Sequence, residues 1–261
     1  MWLRRSAEVL AEYREAADAG FWQRRWGGTD LARYLAGFRG GRLGYFEAPF
    51  RRHLPKDAPV LEAGCGRAQY VMALSRLGYD VFGVEYAEDT VRAVREVEPS
   101  LQVTAGDLRT LPFPDGFFGG YISLGVIEHY WGGPGAILAE ARRVLRKDGV
   151  MLLSVPHFSP GLRRLVEGRE VGEAREREDF YQFYFTRGAI EETLRTHGFR
   201  PFDAFYYDAV YGAKRAYPAF LKMYEKSKLF RYSMTRLNRL ALPQAIVRRF
   251  SHMVLIAARR A

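Results

Sequence analysis

The stretch Val60–Val91, VLEAGCGRAQYVMALSRLGYDVFGVEYAEDTV, decides the fold. A short apolar run, Val60-Leu61, ends in Glu62-Ala63-Gly64-Cys65-Gly66. An amphipathic segment follows from Ala68 to Leu77, and a β-branched run, Val81 to Val84, stops at Glu85. This reads as strand, glycine turn, helix, and a strand ending in a carboxylate. The glycines let the backbone approach a ligand closely at the top of a parallel sheet. Glu85 stands 21 residues after Gly64, where a carboxylate accepts hydrogen bonds from both hydroxyls of a ribose. The unit therefore predicts binding of an adenosine-containing cofactor.

The dinucleotide fingerprint G-x-G-x-x-G is incomplete, because Gln69 occupies the third glycine position that permits tight helix–strand packing beside a pyrophosphate. An acid stands two places before the first glycine instead: Glu62-x-Gly64-x-Gly66. With these residues the chain resembles the class I S-adenosylmethionine-dependent methyltransferases, particularly the small-molecule branch that includes the quinone-biosynthesis enzymes. The resemblance implies an α/β, Rossmann-like, seven-stranded sheet with an antiparallel last strand. It implies S-adenosyl-L-methionine as cofactor and S-adenosyl-L-homocysteine as product. It also puts Glu62 and the Gly64-Cys65-Gly66 turn beside the methionine moiety, and Glu85 on the ribose. Tyr86 is placed to lie against adenine, with a surface aromatic as the alternative.

Further matches follow in order. Leu101 to Ala105 reads as a third strand, ending in Gly106-Asp107-Leu108. By resemblance the acid there accepts from the adenine amino group while the adjacent backbone amide donates to the ring. Leu111 to Phe118 looks like the family's loop before the fourth strand. Gly120 to Leu124 is that strand, with Leu124 at its cofactor end, and Gly125-Val126-Ile127-Glu128-His129 looks like the stretch after it. A helix (Pro134 to Leu145), a Lys147-Asp148-Gly149 turn and a fifth strand (Val150 to Val155) complete a resemblance covering Pro59 to Phe205 plus the final strand. Each feature taken singly also fits a structural role: a turn, a strand terminator, a solvated acid.

The chain has 261 residues, 48% hydrophobic and 27% charged, the balance of a soluble globular protein. Its one cysteine, Cys65, excludes an internal disulfide, and five scattered histidines predict no metal site. The N-terminus, MWLRRSAEVLAEYREA, reads as a mixed-charge helix without a signal-peptide core, and apolar runs such as Met253 to Ala258 are too short to span a bilayer. A cytoplasmic location is expected, with peripheral membrane contact as its variant.

Three regions are expected: a helical lid over residues 1–57, a Rossmann-like core over 58–209 and 250–261, and a basic helical insertion, 210–249, between the sixth and seventh strands. Most lid aromatics read as core, with Tyr34 and Tyr45 as candidate substrate contacts. The charged stretch Arg163 to Asp179 suggests an exposed helix or mobile loop. Within 210–249, ten cations stand against one acid, Glu225, which gives this segment +9 of the chain's net +10. Ala216, Phe220, Met223, Ser227, Phe230, Met234, Leu237 and Ala241 recur at helical spacing as one apolar stripe. Such a segment fits an accessory cap packed on the core, a surface for an anionic or lipidic substrate or an acidic membrane, or a dimer contact. Nucleic acid is not expected.

His129 and His157 lie just beyond the fourth and fifth strands, where open α/β sheets place ligands, and are the candidate catalytic bases. A structural hydrogen bond is the alternative for each. Tyr181, Tyr184 and Tyr207, with Tyr206 and Tyr211, form a candidate acceptor pocket or part of the core. The expected function is methyl transfer to oxygen, nitrogen or carbon of a small molecule. The alternatives are a non-catalytic cofactor-binding scaffold of the same fold and an NAD-dependent oxidoreductase.

Overall fold

The computed structural model describes residues 2–4, 6–26, 30–167, 179–237 and 243–261. Its strands are β1 (Trp2–Arg4), β2 (Val9–Tyr13), β3 (Val60–Ala63), β4 (Val81–Glu85), β5 (Gln102–Ala105), β6 (Phe118–Leu124), β7 (Leu145–Pro156), β8 (Phe180–Phe185), β9 (Phe199–Tyr207) and β10 (Met253–Arg260). Its helices are α1 (Ala19–Trp26), α2 (Leu31–Ala36), α3 (Glu47–His53), α4 (Gln69–Arg76), α5 (Glu88–Val97), α6 (Gly135–Val144), α7 (Pro160–Val166), α8 (Arg187–Thr196), α9 (Ala209–Ala216), α10 (Pro218–Lys226), α11 (Lys228–Leu237) and α12 (Gln244–Phe250).

The main sheet has seven strands in the order β5-β4-β3-β6-β7-β10-β9, with β10 antiparallel to both neighbours and β3, β4, β5, β6 and β7 parallel. The predicted antiparallel last strand is therefore present. Alternate residues of each central strand serve opposite faces. Met151, Leu153 and Val155 of β7 and Val254 and Ile256 of β10 join one cluster, with Ile137, Leu138, Ile190 and Leu194 from α6 and α8. Val150, Leu152, Leu255 and Ala257 join the other, with Phe50, Val71, Leu74, Val91 and Val94 from α3, α4 and α5. Both faces being covered is why these strands read as near-continuous apolar runs.

The N-terminal region departs from expectation. The described residues of MWLRRSAEVLAEYREA are not helical: β1 and β2 form a hairpin whose second strand pairs antiparallel with β8, making a separate three-stranded sheet. The run Val9-Leu10-Ala11-Glu12-Tyr13 is paired from Val9 against Phe185 to Tyr13 against Phe180, partners remote in sequence. The helical content expected of residues 1–57 begins at α1. Thr186 caps α8, its hydroxyl accepting from the Ala189 amide.

The insertion is helical in its described residues, but its apolar stripe is not one helix. The chain breaks at Tyr217 and Ser227, both in extended backbone, giving α9, α10 and α11. The end of the stripe, at 237 and 241, and the residues of the charged stretch at 168–178 lie outside the side chains described.

A buried ion pair ties the insertion to the N-terminal sheet. Glu12 of β2 receives Arg215 of α9 at 2.7 Å, the Tyr184 hydroxyl at 2.8 Å and the Gln182 amide at 3.1 Å. Burial pushes the Glu12 carboxyl up, but the Arg215 charge and these hydrogen bonds hold it below its ordinary value. Removing one partner of such a pair strands a buried charge. Arg215→Met should cost about 3–5 kcal/mol of unfolding free energy by denaturant titration, and adding Glu12→Gln should recover most of it. Equal losses in single and double variants would exclude this account.

Candidate active site

The ends of β3, β4, β5 and β6 open into a cavity of about 840 Å³, within the range of roughly 300–1,000 Å³ of small-molecule sites. Its floor is the glycine turn. Gly64 and Gly66 adopt φ of +77° and +52°, and Ala68 follows at +59°. A side chain at Gly64 would meet Val126 at 2.5 Å, so glycine is required there by space as well as by backbone.

Carboxylates stitch this turn to the strand tips. Glu85 accepts from the Gly66 amide at 2.8 Å through Oε2 and from the Ala87 amide at 3.0 Å through Oε1. Glu62 Oε2 accepts from the Val71 amide at 3.0 Å and so caps the first turn of α4 from beneath. Burial, with the neighbouring Glu85 charge, raises Glu62 to about 8 against the pull of the Val71 amide. Burial also pushes the Cys65 thiol well up, which leaves it an inert small filler. Asp107 is paired with Arg109, whose hydrogen bonds and charge hold it below its usual range.

Glu62, Gly64, Cys65, Gly66, Glu85, Tyr86, Asp107, Leu108 and Leu124 all line this one cavity. Gly106 does not; its amide is spent on the Glu85 carbonyl at 3.0 Å, a strand-end hydrogen bond. Carboxylates grouped at the turn suit a cationic, hydroxyl-bearing nucleoside and oppose a pyrophosphate, which needs donors there. The residues present thus fit the sulfonium cofactor better than a dinucleotide.

The opposite wall is aromatic. Trp22 stacks on Trp26 at 5.6 Å, and its edge meets His129 at 5.0 Å; His129 in turn meets Tyr181 at 4.9 Å. These residues, with Tyr130, Trp131 and Phe180, line the same cavity. Trp22 and Trp26 come from α1, and Phe180 and Tyr181 from β8, so the strand that sequence did not reveal supplies two of the seven rings of the wall.

His129 is at the site and its protonation is determined by a neighbour. Nδ1 lies 2.7 Å from the Tyr181 carbonyl, which only accepts, so Nδ1 carries the proton and Nε2 the lone pair. Burial, aided by the Arg14 charge, lowers this imidazole to about 4 despite that hydrogen bond. Beside it stands Glu128, which sequence reasoning passed over. It is 1% exposed, lines the cavity, and its Oε2 has no hydrogen-bond partner among the described residues. Burial raises Glu128 to about 8, and its Oε1 lies 4.0 Å from His129 Nε2. Adjacency to His129 in the segment after β6 was the available signal.

The other candidates fall elsewhere in the structure. His157 is buried, 2.6 Å from the Ser251 hydroxyl and packed on Tyr206. Tyr184 serves Glu12, and the Tyr207 hydroxyl meets Ser154 at 2.7 Å. Tyr45 packs against Tyr207, and Tyr34 lies under the Arg67 guanidinium at 3.8 Å. None of these five is among the described residues lining the cavity.

Residues 61–153 match the methyltransferase domain family. A probable S-adenosylmethionine-dependent methyltransferase of Mycolicibacterium smegmatis is 39% identical over 105 residues, 39% of this chain and 40% of that protein. Another, of Mycobacterium tuberculosis, is 36% identical over 124 residues, covering 43% and 45%. The matched regions thus span less than half of these relatives. Among solved structures, the (4+2)-cyclase SpnF superposes with a TM-score of 0.59 at 18% identity, covering 95% of this chain and 99% of that one. The 1,6-didemethyltoxoflavin-N1-methyltransferase of Burkholderia thailandensis, solved with its substrate and S-adenosylhomocysteine, gives 0.52 at 16% identity, covering 100% and 99%. Matched sequence and shared fold agree with the acidic glycine turn: over residues 61–153 the chain is similar to the methyltransferase domain family, and its fold is shared with solved methyltransferases.

Proposed function

We propose that this protein transfers the methyl group of S-adenosyl-L-methionine to oxygen, nitrogen or carbon of a small-molecule acceptor. The observation that carries the reading is one cavity of about 840 Å³ joining the acidic strand tips to an aromatic wall. Glu62 and the glycine turn would hold the methionine part, Glu85 the ribose, and Asp107, Leu108 and Tyr86 the adenine. For Asp107 this requires Arg109 to share or release its carboxylate. Residues 1–57 act as the lid through Ala16, Asp18, Trp22, Arg25 and Trp26, which line the cavity; 58–209 with 250–261 form the core; and 210–249 is the accessory insertion. Tyr181 is the tyrosine proposed to touch the acceptor, in a cytoplasmic setting.

Bound cofactor supplies an activated methyl on a sulfonium, so the protein's task is alignment and exclusion of water. Where the acceptor atom carries a proton, Glu128 is the stronger base of the adjacent pair and His129 a neutral hydrogen-bond acceptor that orients it. The second reading, cofactor binding without methyl transfer, gains support from the fold being shared with a cyclase. Calorimetry with both forms of the cofactor, followed by a methyl-release assay, separates the two.

Glu85→Ala and Asp107→Ala should each weaken cofactor binding by about 1–3 kcal/mol in that calorimetry. Unchanged affinity in both would remove the site assignment. Glu62 predicts a pH effect on the cofactor-free protein. Its raised value means the unfolded chain ionises first, so its stability contribution is complete below about 4.5 and lost as pH climbs through about 8. Glu62→Gln should gain on the parent by a term on the order of 5 kcal/mol between these limits, read as the difference of two melting profiles.

Turnover of a proton-bearing acceptor should rise with pH through about 8 in the parent, following Glu128. Glu128→Gln should flatten that limb while leaving cofactor affinity within a few fold. A limb that survives the substitution would return the base to another group.

A further inference from the structure

The helices α10 and α11 are the least covered part of the insertion. No residue of α10 is buried, nor is any described side chain of α11. Their inner sides meet each other, with the Phe220 and Phe230 rings 5.2 Å apart. The outer side carries Lys222, Met223 and Lys226 on α10, and Lys228, Leu229, Tyr232 and Arg236 on α11, all exposed. On α11 these positions fall at i, i+1, i+4 and i+8, one continuous face. Leu229 is 75% exposed, Tyr232 56% and Met223 47%. The Arg236 guanidinium lies 4.8 Å from the Tyr232 ring centre. Glu225 is the one acid between Pro218 and Leu237.

Helices this short are marginal in water unless their apolar side is covered, and large exposed apolar side chains grouped together mark contact surfaces. Cations placed among them fix the sign of what covers them. We propose that the outer face of α10–α11 docks on an anionic lipid bilayer, with Leu229, Tyr232 and Met223 entering the headgroup boundary and the surrounding lysines and arginines meeting lipid phosphates. A single-stranded RNA would need open ring faces for stacking, whereas Leu229 and Met223 have none and Tyr232 is overlaid by its own arginine. The same insertion reaches the cavity: α9 places Arg215 on Glu12, and another Glu12 partner, Gln182, lines it. The docked face and the acceptor wall are thus joined through one ion pair.

This inference goes beyond methyl transfer, and its test runs without it. The full chain is sedimented with vesicles of pure phosphatidylcholine and of an equal mixture of phosphatidylcholine and phosphatidylglycerol. Binding is expected to the mixed vesicles alone and to weaken as salt is added. Lys226→Ala and Lys228→Ala should each reduce it about fivefold, the equivalent of about 1 kcal/mol per cation at the surface. The double variant Leu229→Glu, Tyr232→Glu should abolish it. Both sites are exposed, so thermal melting and S-adenosylhomocysteine affinity should stay at parental values, which keeps this outcome separate from the cofactor reading. Failure to bind either vesicle, equal binding to both, undiminished binding by the double variant, or capture by polyuridylate instead of vesicles would each overturn the proposal.

Discussion

The arrangement depends on carboxylates held where carboxylates are costly. Glu62 and Glu85 sit at adjacent strand tips, 2% and 6% exposed, around a turn whose glycines are left-handed. Each oxygen that meets a backbone amide makes a charge-assisted hydrogen bond. For Glu85 both oxygens do so; for Glu62 one does, and its charged form is opposed by burial and by Glu85. A ligand bringing a positive charge beside Glu62 relieves that opposition. The turn is therefore stable enough to form and unsatisfied enough to prefer a cation, which is the electrostatic reason a sulfonium nucleoside suits it and a pyrophosphate does not.

How much of this was legible in the sequence follows from which interactions are local. The β3–turn–α4–β4 unit was readable because its glycines, amphipathic period and terminal acid lie within one short window. The seven-stranded sheet and its antiparallel β10 were expected from the resemblance, whereas the strand order came from the structure. The hairpin of β1 and β2 was not readable. Its residues alternate weakly, and it becomes a strand by pairing with β8, far along the chain; no local pattern encodes that partner. The same missing strand hid Phe180 from the aromatic wall, although Tyr181 was already a candidate for the acceptor pocket. The tyrosines at 34, 45, 184 and 207 show the converse: a phenol named as a ligand contact was consumed by a buried hydrogen bond, a packed ring or an arginine.

The insertion shows periodicity without length. Its apolar residues recur at helical spacing, and the reading as helix was right for the described residues, but Tyr217 and Ser227 are extended and divide the stripe. A single long helix could have laid the whole stripe on the core. Short helices cannot, and α10 and α11 fold back on one another through Phe220 and Phe230, which leaves other apolar side chains facing outward beside the cations. The break in the helix and the exposed amphipathic face are one structural fact.

Glu128 and His129 show why residue type alone does not assign a base. Burial disfavours charge in both, but the charged form is the deprotonated acid in one case and the protonated imidazole in the other. The same cavity wall therefore drives the pair in opposite directions, Glu128 up to about 8 and His129 down to about 4, and inverts their ordinary order of basicity. The Tyr181 carbonyl fixes the imidazole proton on Nδ1, so Nε2 faces Glu128 as an acceptor across 4.0 Å. A donor group arriving between them finds an orienting nitrogen on one side and the stronger proton acceptor on the other. Histidine is the residue a sequence offers first for chemistry near neutrality, and in this wall the carboxyl beside it has taken that range.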